Sequence, residues 1–399
     1  MSSNYQIFFD NQPADADFYT SISLLEVEEN MDLPGAVELN VPVSRTEAGD
    51  LTYVSDDRLR PMTNLAVVVS ASSSDSSRVI ADAASVPCRG DSGGTGAQCI
   101  FDGYVLSHKL HLNTGVTDSK LKVWGQDASW LMNLTEKVKE WVNVSDIDAA
   151  NSIFGDYGII PAEENSDEDS PSHNEFGHSL MQRATDIQFL RALARRNGKF
   201  CRVVCTDKPG VRTGYFASPK LDVKPVTTFS ITDSETWNVQ SLDLQWEVTA
   251  PSAVIARQAL FTDPDPDGAS ADSSDTGLPL LGDRGLANFS GSPMTVLLAA
   301  PVDEGDELTL RAQSLLRESA WFVRCEGEAD IARLGVVLRA GMIVAIEGVG
   351  ALHSGKYLVW SVRHMITPDD YRMKFVLVRN AVGQSSTGGG GGLAGLIGA

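Results

Sequence analysis

The chain has 399 residues, of which 42% are hydrophobic, and a formal net charge of −21. That length predicts two or three domains with sizeable cores, and no apolar run reaches the roughly 18 residues that a membrane-crossing helix needs. The acidity excludes a protein that clamps nucleic acid by counterion release; it favours solubility, and a polyanion near such a surface would slide rather than stick.

The N-terminal MSSNYQIFFDNQP has no basic stretch followed by a long apolar core, so no secretory leader is expected. Residues 5–70 read as strands and turns, with alternation through Leu24, Val27, Val37, Leu39, Val41 and Val43 and a buried run at Ala66 to Val69. Residues 71–98 are rich in Ser, Gly, Ala and Asp and read as a long loop. The Arg89-Gly90-Asp91 tripeptide within it is too short to signify adhesion. Cys88 and Cys99 flank a flexible segment that could bring them together as a disulfide, whereas Cys201 and Cys205 are too far apart to bridge along one strand. No Cys-x-x-Cys pair offers a zinc site.

Gly103 to Trp124, GYVLSHKLHLNTGVTDSKLKVW, reads as a hairpin. The periodicity of Trp130, Leu131, Leu134, Val138 and Trp141 predicts a helix over Asp127 to Trp141. Two more helices are announced by caps. Ser145 with Asp148 opens SDIDAANSIFGDYG, and Thr185 with Gln188 opens TDIQFLRALARRNG. Phe200 to Cys205 and Val211 to Phe216 form a strand pair, and β character returns over Thr227 to Val248. Residues 262–285 read as a second low-complexity loop, and Leu308 to Ala320 as a helix. Strands at Trp321 to Gly327 and Met342 to Val349 lead to a second hairpin, Gly355 to Arg379.

That second hairpin echoes the first about 250 residues later. The repeated residues are Gly103, Tyr104, Val105 and Trp124 in one copy and Gly355, Tyr357, Val359 and Phe375 in the other. Strands and helices are segregated, which points to a mainly β chain with an α/β insert (α+β). The expected units are a first β-barrel at 1–125, an α/β middle at 126–225, a second β-barrel at 226–383 and a Gly-rich tail at 384–399.

The chemistry of an enzyme is not visible. His173 and His178 in HNEFGH are spaced wrongly for His-Glu-x-x-His, and with Glu175 they leave a hydrolase only as a rival reading. No phosphate-binding glycine loop and no nucleophile elbow is present. The expectation is no catalytic residue, no cofactor and no metal; a glycan-binding β module is the other rival. The seven Trp read as core and interface anchors, and an oligomer would bury some between subunits.

An ordered set of segments carries a family likeness. It runs from Phe101-Asp102-Gly103-Tyr104-Val105 through Val123-Trp124-Gly125-Gln126-Asp127-Ala128 and Thr185-Asp186-Ile187-Gln188-Phe189-Leu190. It ends at His353-Ser354-Gly355-Lys356-Tyr357-Leu358-Val359 and Arg379-Asn380. The chain resembles the hub proteins of contractile tails: the phage late control protein D family, the VgrG proteins of type VI secretion and the hubs of extracellular injection systems.

The resemblance implies a homotrimer in which two related tube-type barrels per chain make a pseudo-sixfold ring. That ring would adapt a hexameric inner tube to a trimeric spike and continue its channel for cargo or DNA, inside a particle assembled in a bacterial or archaeal cytoplasm. No spike-like segment follows residue 383, so a separate spike protein is the expected partner, and there is no sign of membrane insertion. The loops at 71–98 and 262–285 would meet baseplate wedges or sheath adaptors. The terminal LAGLIGA would reach the spike junction, unless it is simply unstructured.

Overall fold

The structure, a computed structural model, describes residues 5–71, 96–114, 118–166, 170–173, 175, 179–205, 208–232, 235–258, 270–302 and 305–384. A thirteen-stranded sheet dominates it. Numbered within that sheet, the first half supplies β1 (Tyr5–Phe9), β2 (Gln12–Pro13), β3 (Leu24–Asn30), β4 (Ala36–Pro42), β5 (Asn64–Val69), β6 (Gln98–His111) and β7 (Lys120–Asp127). The second half supplies β8 (Thr228–Ser230), β9 (Ser241–Trp246), β10 (Val323–Asp330), β11 (Ile343–Glu347), β12 (Gly355–Ile366) and β13 (Tyr371–Arg379).

The strands follow the order β9-β10-β13-β12-β3-β4-β7-β6-β5-β1-β2, with β11 also on β12 and β8 on β11. The two β regions expected as separate closed barrels are therefore joined in one open sheet among the described residues. The join is β3 against β12. Alternation explains why: Leu25 and Val27 of β3 and Val37, Leu39 and Val41 of β4 turn inward and are buried. Glu26, Glu28 and Glu38 point the other way, as a period of two dictates. One apolar core takes residues from both halves, among them Val27, Leu39, Val123, Val344, Val359 and Phe375.

The middle of the chain has its own core around Phe154, Leu190, Leu193 and Phe216. Its helices are α1 (Asp146–Asp156) and α2 (Asp186–Arg196). Ser145 and Asp148 form the anticipated capping box on α1. On α2, Thr185 Oγ1 accepts from the Gln188 N–H at 3.4 Å. The strand pair is also present, as Phe200–Cys205 against Arg212–Ala217.

The helix expected over Asp127 to Trp141 is not there. Asp127 caps a short 3-10 helix, Ala128–Asn133, and Glu136–Trp141 then runs as a strand against Leu180–Thr185. The helical spacing was misleading because Leu134 and Val138 face solvent, and a partner strand outweighs local propensity.

A second difference lies within 251–302. Strands Ala253–Gln258, Ser270–Ser273 and Thr295–Ala300 form a separate small sheet backed by α3 (Gly305–Ser319). Part of the stretch read as a loop is thus a satellite fold with its own core. Among the described residues no helix is long and apolar enough to cross a membrane.

Candidate docking surface

Both hairpins belong to the large sheet, and both carry the same irregularity. In β6–β7 the register shifts between Val105 and Ser107; in β12–β13 it shifts between Val359 and Ser361. Beyond the shift, Ser107 faces Trp124 and Ser361 faces Val376. A bulge inserts one residue on one strand and increases the local twist, so a bulge at the same place makes the two hairpins alike in shape. Aligned on it, Val105 matches Val359, Ser107 matches Ser361, Val123 matches Phe375 and Trp124 matches Val376. Tyr104 falls on Leu358 rather than Tyr357, so the Gly and Tyr letters of the sequence echo do not superpose; the Val-x-Ser triplet does.

The eight repeated residues mostly build the hairpins from inside. Val105, Tyr357, Val359 and Phe375 are buried. Tyr357 donates its hydroxyl proton to the His353 carbonyl at 2.7 Å, and Phe375 packs on Phe229 with ring centroids 5.0 Å apart. Gly103 is a close-approach position: a Cβ there would lie 2.0 Å from the Gln126 carbonyl oxygen. Gly355 adopts φ of 140° beside the Arg379 guanidinium. Tyr104 lies against the Arg212 guanidinium at 5.2 Å. Trp124 is the exposed member of the set, at 39%.

The face of the sheet opposite the core is charged with both signs. Lys122 pairs with Glu38 at 2.6 Å, Arg363 with Glu28 at 2.7 Å, Arg324 with Glu326 at 2.9 Å and Arg372 with Glu328 at 3.2 Å. The Lys122 ammonium holds the Glu38 carboxyl below its ordinary range. Such a mosaic gives neither a polyanion nor a polycation a continuous surface to grip.

Where the three parts of the chain meet, the contacts are buried and ionic. Arg339 Nε donates to Glu29 at 2.5 Å and its Nη2 to the Cys205 carbonyl at 2.8 Å, while the Ala340 N–H donates to the same Glu29 carboxylate. Arg202 donates to the Ala340 carbonyl at 2.7 Å. A second tie joins Arg212 to Asp102 at 2.8 Å, with the Gly210 N–H and the Asn64 amide on the same carboxylate. Sequence reasoning gave Glu29, Arg202, Arg212 and Arg339 no role, because they are scattered among ordinary charges and acquire partners only in the fold.

His173 is neither a solvent-exposed loop residue nor part of a metal cluster among the described residues. Its Nε2 lies 2.6 Å from the buried Asp146 carboxylate, which also accepts from Arg196 and Asn197. Burial, the largest influence, pushes the Asp146 carboxyl up, but these three partners hold it below its ordinary value. The group closes the base of α1. Glu175 is described; His178, Cys88, most of the 71–98 loop, part of the 262–285 segment and the LAGLIGA tail lie outside the described residues. Cys99 is buried in a small cluster with Cys205.

A family model described as "Alg8 N-terminal domain" matches residues 94–368, well over half of the chain. No curated protein matches its sequence. Among solved structures, the prophage MuSo2 43 kDa tail protein from Shewanella oneidensis is similar over 95% of this chain and 99% of its own, with a TM-score of 0.64 and 12% identity. A tail protein from Neisseria meningitidis MC58 is similar over 94% and 96%, with a TM-score of 0.61 and 13% identity. The E. coli c3393 protein, a component of a type VI secretion system, is similar over 90% of this chain and 73% of its own, with a TM-score of 0.52 and 11% identity. At these identities the likeness is one of fold.

Proposed function

The chain belongs to the Alg8 N-terminal domain family; from its strand pairing and its fold we propose that it is a structural hub of a contractile tail or contractile injection system. Three copies form a ring that adapts a hexameric inner tube to a separate trimeric spike and continues the central channel. The observation that carries this reading is the bulged hairpin built twice into one sheet. A threefold assembly that must meet a sixfold tube at steps of about 60° needs two equivalent units per chain. The fold shared with two tail proteins over nearly their whole lengths supports the same reading.

In this arrangement the two halves are the barrel-like units of the ring, and the mixed-charge face of the sheet lines the channel. Paired charges there let cargo or DNA pass without a sticky wall. The two hairpins present the docking surface to the tube, while the segments around 71–98 and 262–285 meet wedge or sheath-adaptor proteins. The particle is assembled in the cytoplasm of its bacterial or archaeal cell.

Mass measurement by light scattering, followed by pull-down with tail-tube and spike proteins from the same genome, tests the proposal. A trimer that binds both, seen as a ring with a central hole in images, is the expected result. A monomer that joins neither protein rules the hub out.

A further inference from the structure

The large sheet has one internal seam, where β3 of the first half lies antiparallel to β12 of the second. Ser361 faces Asn30 there, and the pairing runs on to Ile366 facing Leu25. The two halves are equivalent beyond their hairpins. β7 is followed by β4 and then β3; β13 is followed by β10 and then β9. The registers carry the equivalence residue by residue. Val123 faces Leu39, which faces Leu25; Phe375 faces Gly327, which faces Leu242. Leu25 through Asn30 therefore match Leu242 through Glu247, and the alternation L-E-V-E-E-N is answered by L-D-L-Q-W-E.

Each half thus has one outer strand, β3 or β9, and one hairpin strand whose far edge beyond the bulge can take such a strand. β3 fills the edge of β12. The other two edges are open among the described residues: β9 ends the sheet, and Ser107 to His111 of β6 pair only with β7, because β5 reaches no further than Tyr104. Unpaired edges are a liability that proteins ordinarily blunt or cover. Exposed apolar side chains stand at or beside both, Trp246 at 48% and Leu112 at 50%.

We propose that β9 of one copy pairs antiparallel with residues 107–111 of β6 in the next copy, in the register of the internal seam. Transferred by the equivalence, that register sets Lys109 opposite Gln245, Leu110 opposite Leu244 and His111 opposite Asp243. The inward row sets Leu110 opposite Leu244 and His108 opposite Trp246, where the internal seam sets His364 opposite the buried Val27 and Val362 opposite Glu29. The outward row sets His111 opposite Asp243 and Lys109 opposite Gln245, where the internal seam sets Arg363 opposite Glu28, and leaves Asp243 and Glu247 as the diagonal neighbours of Lys109. Seams within and between copies then alternate around one continuous sheet. The count of three copies rests on the hub reading; the pairing does not.

The internal seam also says which pair to cross-link. The Met31 N–H donates to the Trp360 carbonyl at 3.0 Å, which makes those two a hydrogen-bonded pair. By alternation Arg363 and Glu28 form a non-hydrogen-bonded pair, the type with the closer side chains. Their equivalents are Lys109 and Gln245, both exposed.

The test is Lys109→Cys with Gln245→Cys in a Cys88→Ser background, mildly oxidised and run on a non-reducing gel. A ladder ending in covalent trimer is expected, with at least tenfold less product when Lys109→Cys is combined with Asp243→Cys or Glu247→Cys. Equal or absent cross-linking at Lys109 and Gln245 overturns the pairing. If the wild-type mass is still trimeric, the hub reading survives that failure. A ladder that continues past trimer keeps the pairing and overturns the three-copy ring. Hydrogen exchange on the unmutated protein is independent of how the variants fold. Amides of residues 107–111 and 242–247 should exchange at least a hundredfold more slowly in the assembly than in dilute monomer, and equal rates overturn the proposal.

Discussion

Arg339 and Glu29, 310 residues apart, form a buried ion pair at the point where the two sheet halves and the middle unit touch. The Cys205 carbonyl and the Ala340 N–H complete the group, so neither charge lacks a hydrogen-bond partner. Removing one partner strands the other charge in a largely buried site, which costs about 3–5 kcal/mol. Arg339→Met is expected to lower the urea midpoint by that measure. The double variant Arg339→Met with Glu29→Leu should recover part of the loss. Equal losses in the single and double variants would contradict a buried-charge penalty.

Two glycines should respond oppositely to the same substitution. Gly103→Ala places a methyl 2.0 Å from a carbonyl oxygen in the bulged hairpin, and is expected to cost more than about 2 kcal/mol and to weaken assembly. Gly155→Ala sits on α1 with nothing within 4 Å, and should stabilise by about 0.5–1 kcal/mol through lower unfolded-state entropy. Thermal melts of the two variants check both signs.

The Ser145–Asp148 box satisfies donors at the start of α1 that have no partner within the helix. Ser145→Ala is expected to cost about 1 kcal/mol. Ser145→Asp should restore most of it. Denaturant titrations of the pair separate the cap from simple loss of volume.

Acid should loosen the second hairpin first. His364 is fully buried against the Tyr371 hydroxyl, and its Nε2 has no hydrogen-bond partner among the described residues. Burial, with the nearby Arg339 charge, pushes its pKa down to about 3. The unfolded chain protonates this imidazole below about pH 6.5, while the folded chain keeps it neutral. The unfolded state therefore holds more protons between those values, and stability falls as the pH drops from 6.5 toward 3, by up to about 1.4 kcal/mol per pH unit. His364→Leu, which copies the Leu110 of the matching position, should remove that part of the slope. Identical pH slopes for the two proteins would refute the assignment.

Much of the β architecture was legible because it rests on local patterns. Leu25, Val27, Leu39 and Val123 alternate as buried strands must, and the caps at Ser145 and Thr185 marked α1 and α2 correctly. The errors have physical causes. Leu134, Val138 and Trp141 kept a helical spacing although their stretch pairs as a strand from Glu136 onward. The satellite sheet at 253–300 was hidden because Ser270–Ser273 has the composition of a loop. The junction residues Glu29, Arg202 and Arg339 carry no local signal at all. The hairpin echo was visible in letters, but its alignment was set by the bulge, which is a property of pairing and not of composition.

The seam between β3 and β12 also dictates when this protein can become complete. Glu28 must wait for Arg363, 335 residues further along, so a ribosome working at about 5–20 residues per second holds the first half open for on the order of half a minute. Throughout that interval β3 is a bare edge with the wrong strands within reach, above all the 107–111 edge of β6, which is equivalent to the β12 edge it awaits. The delay favours expression conditions that slow chain encounter, and it marks the first half as the place where a chaperone would be needed during synthesis.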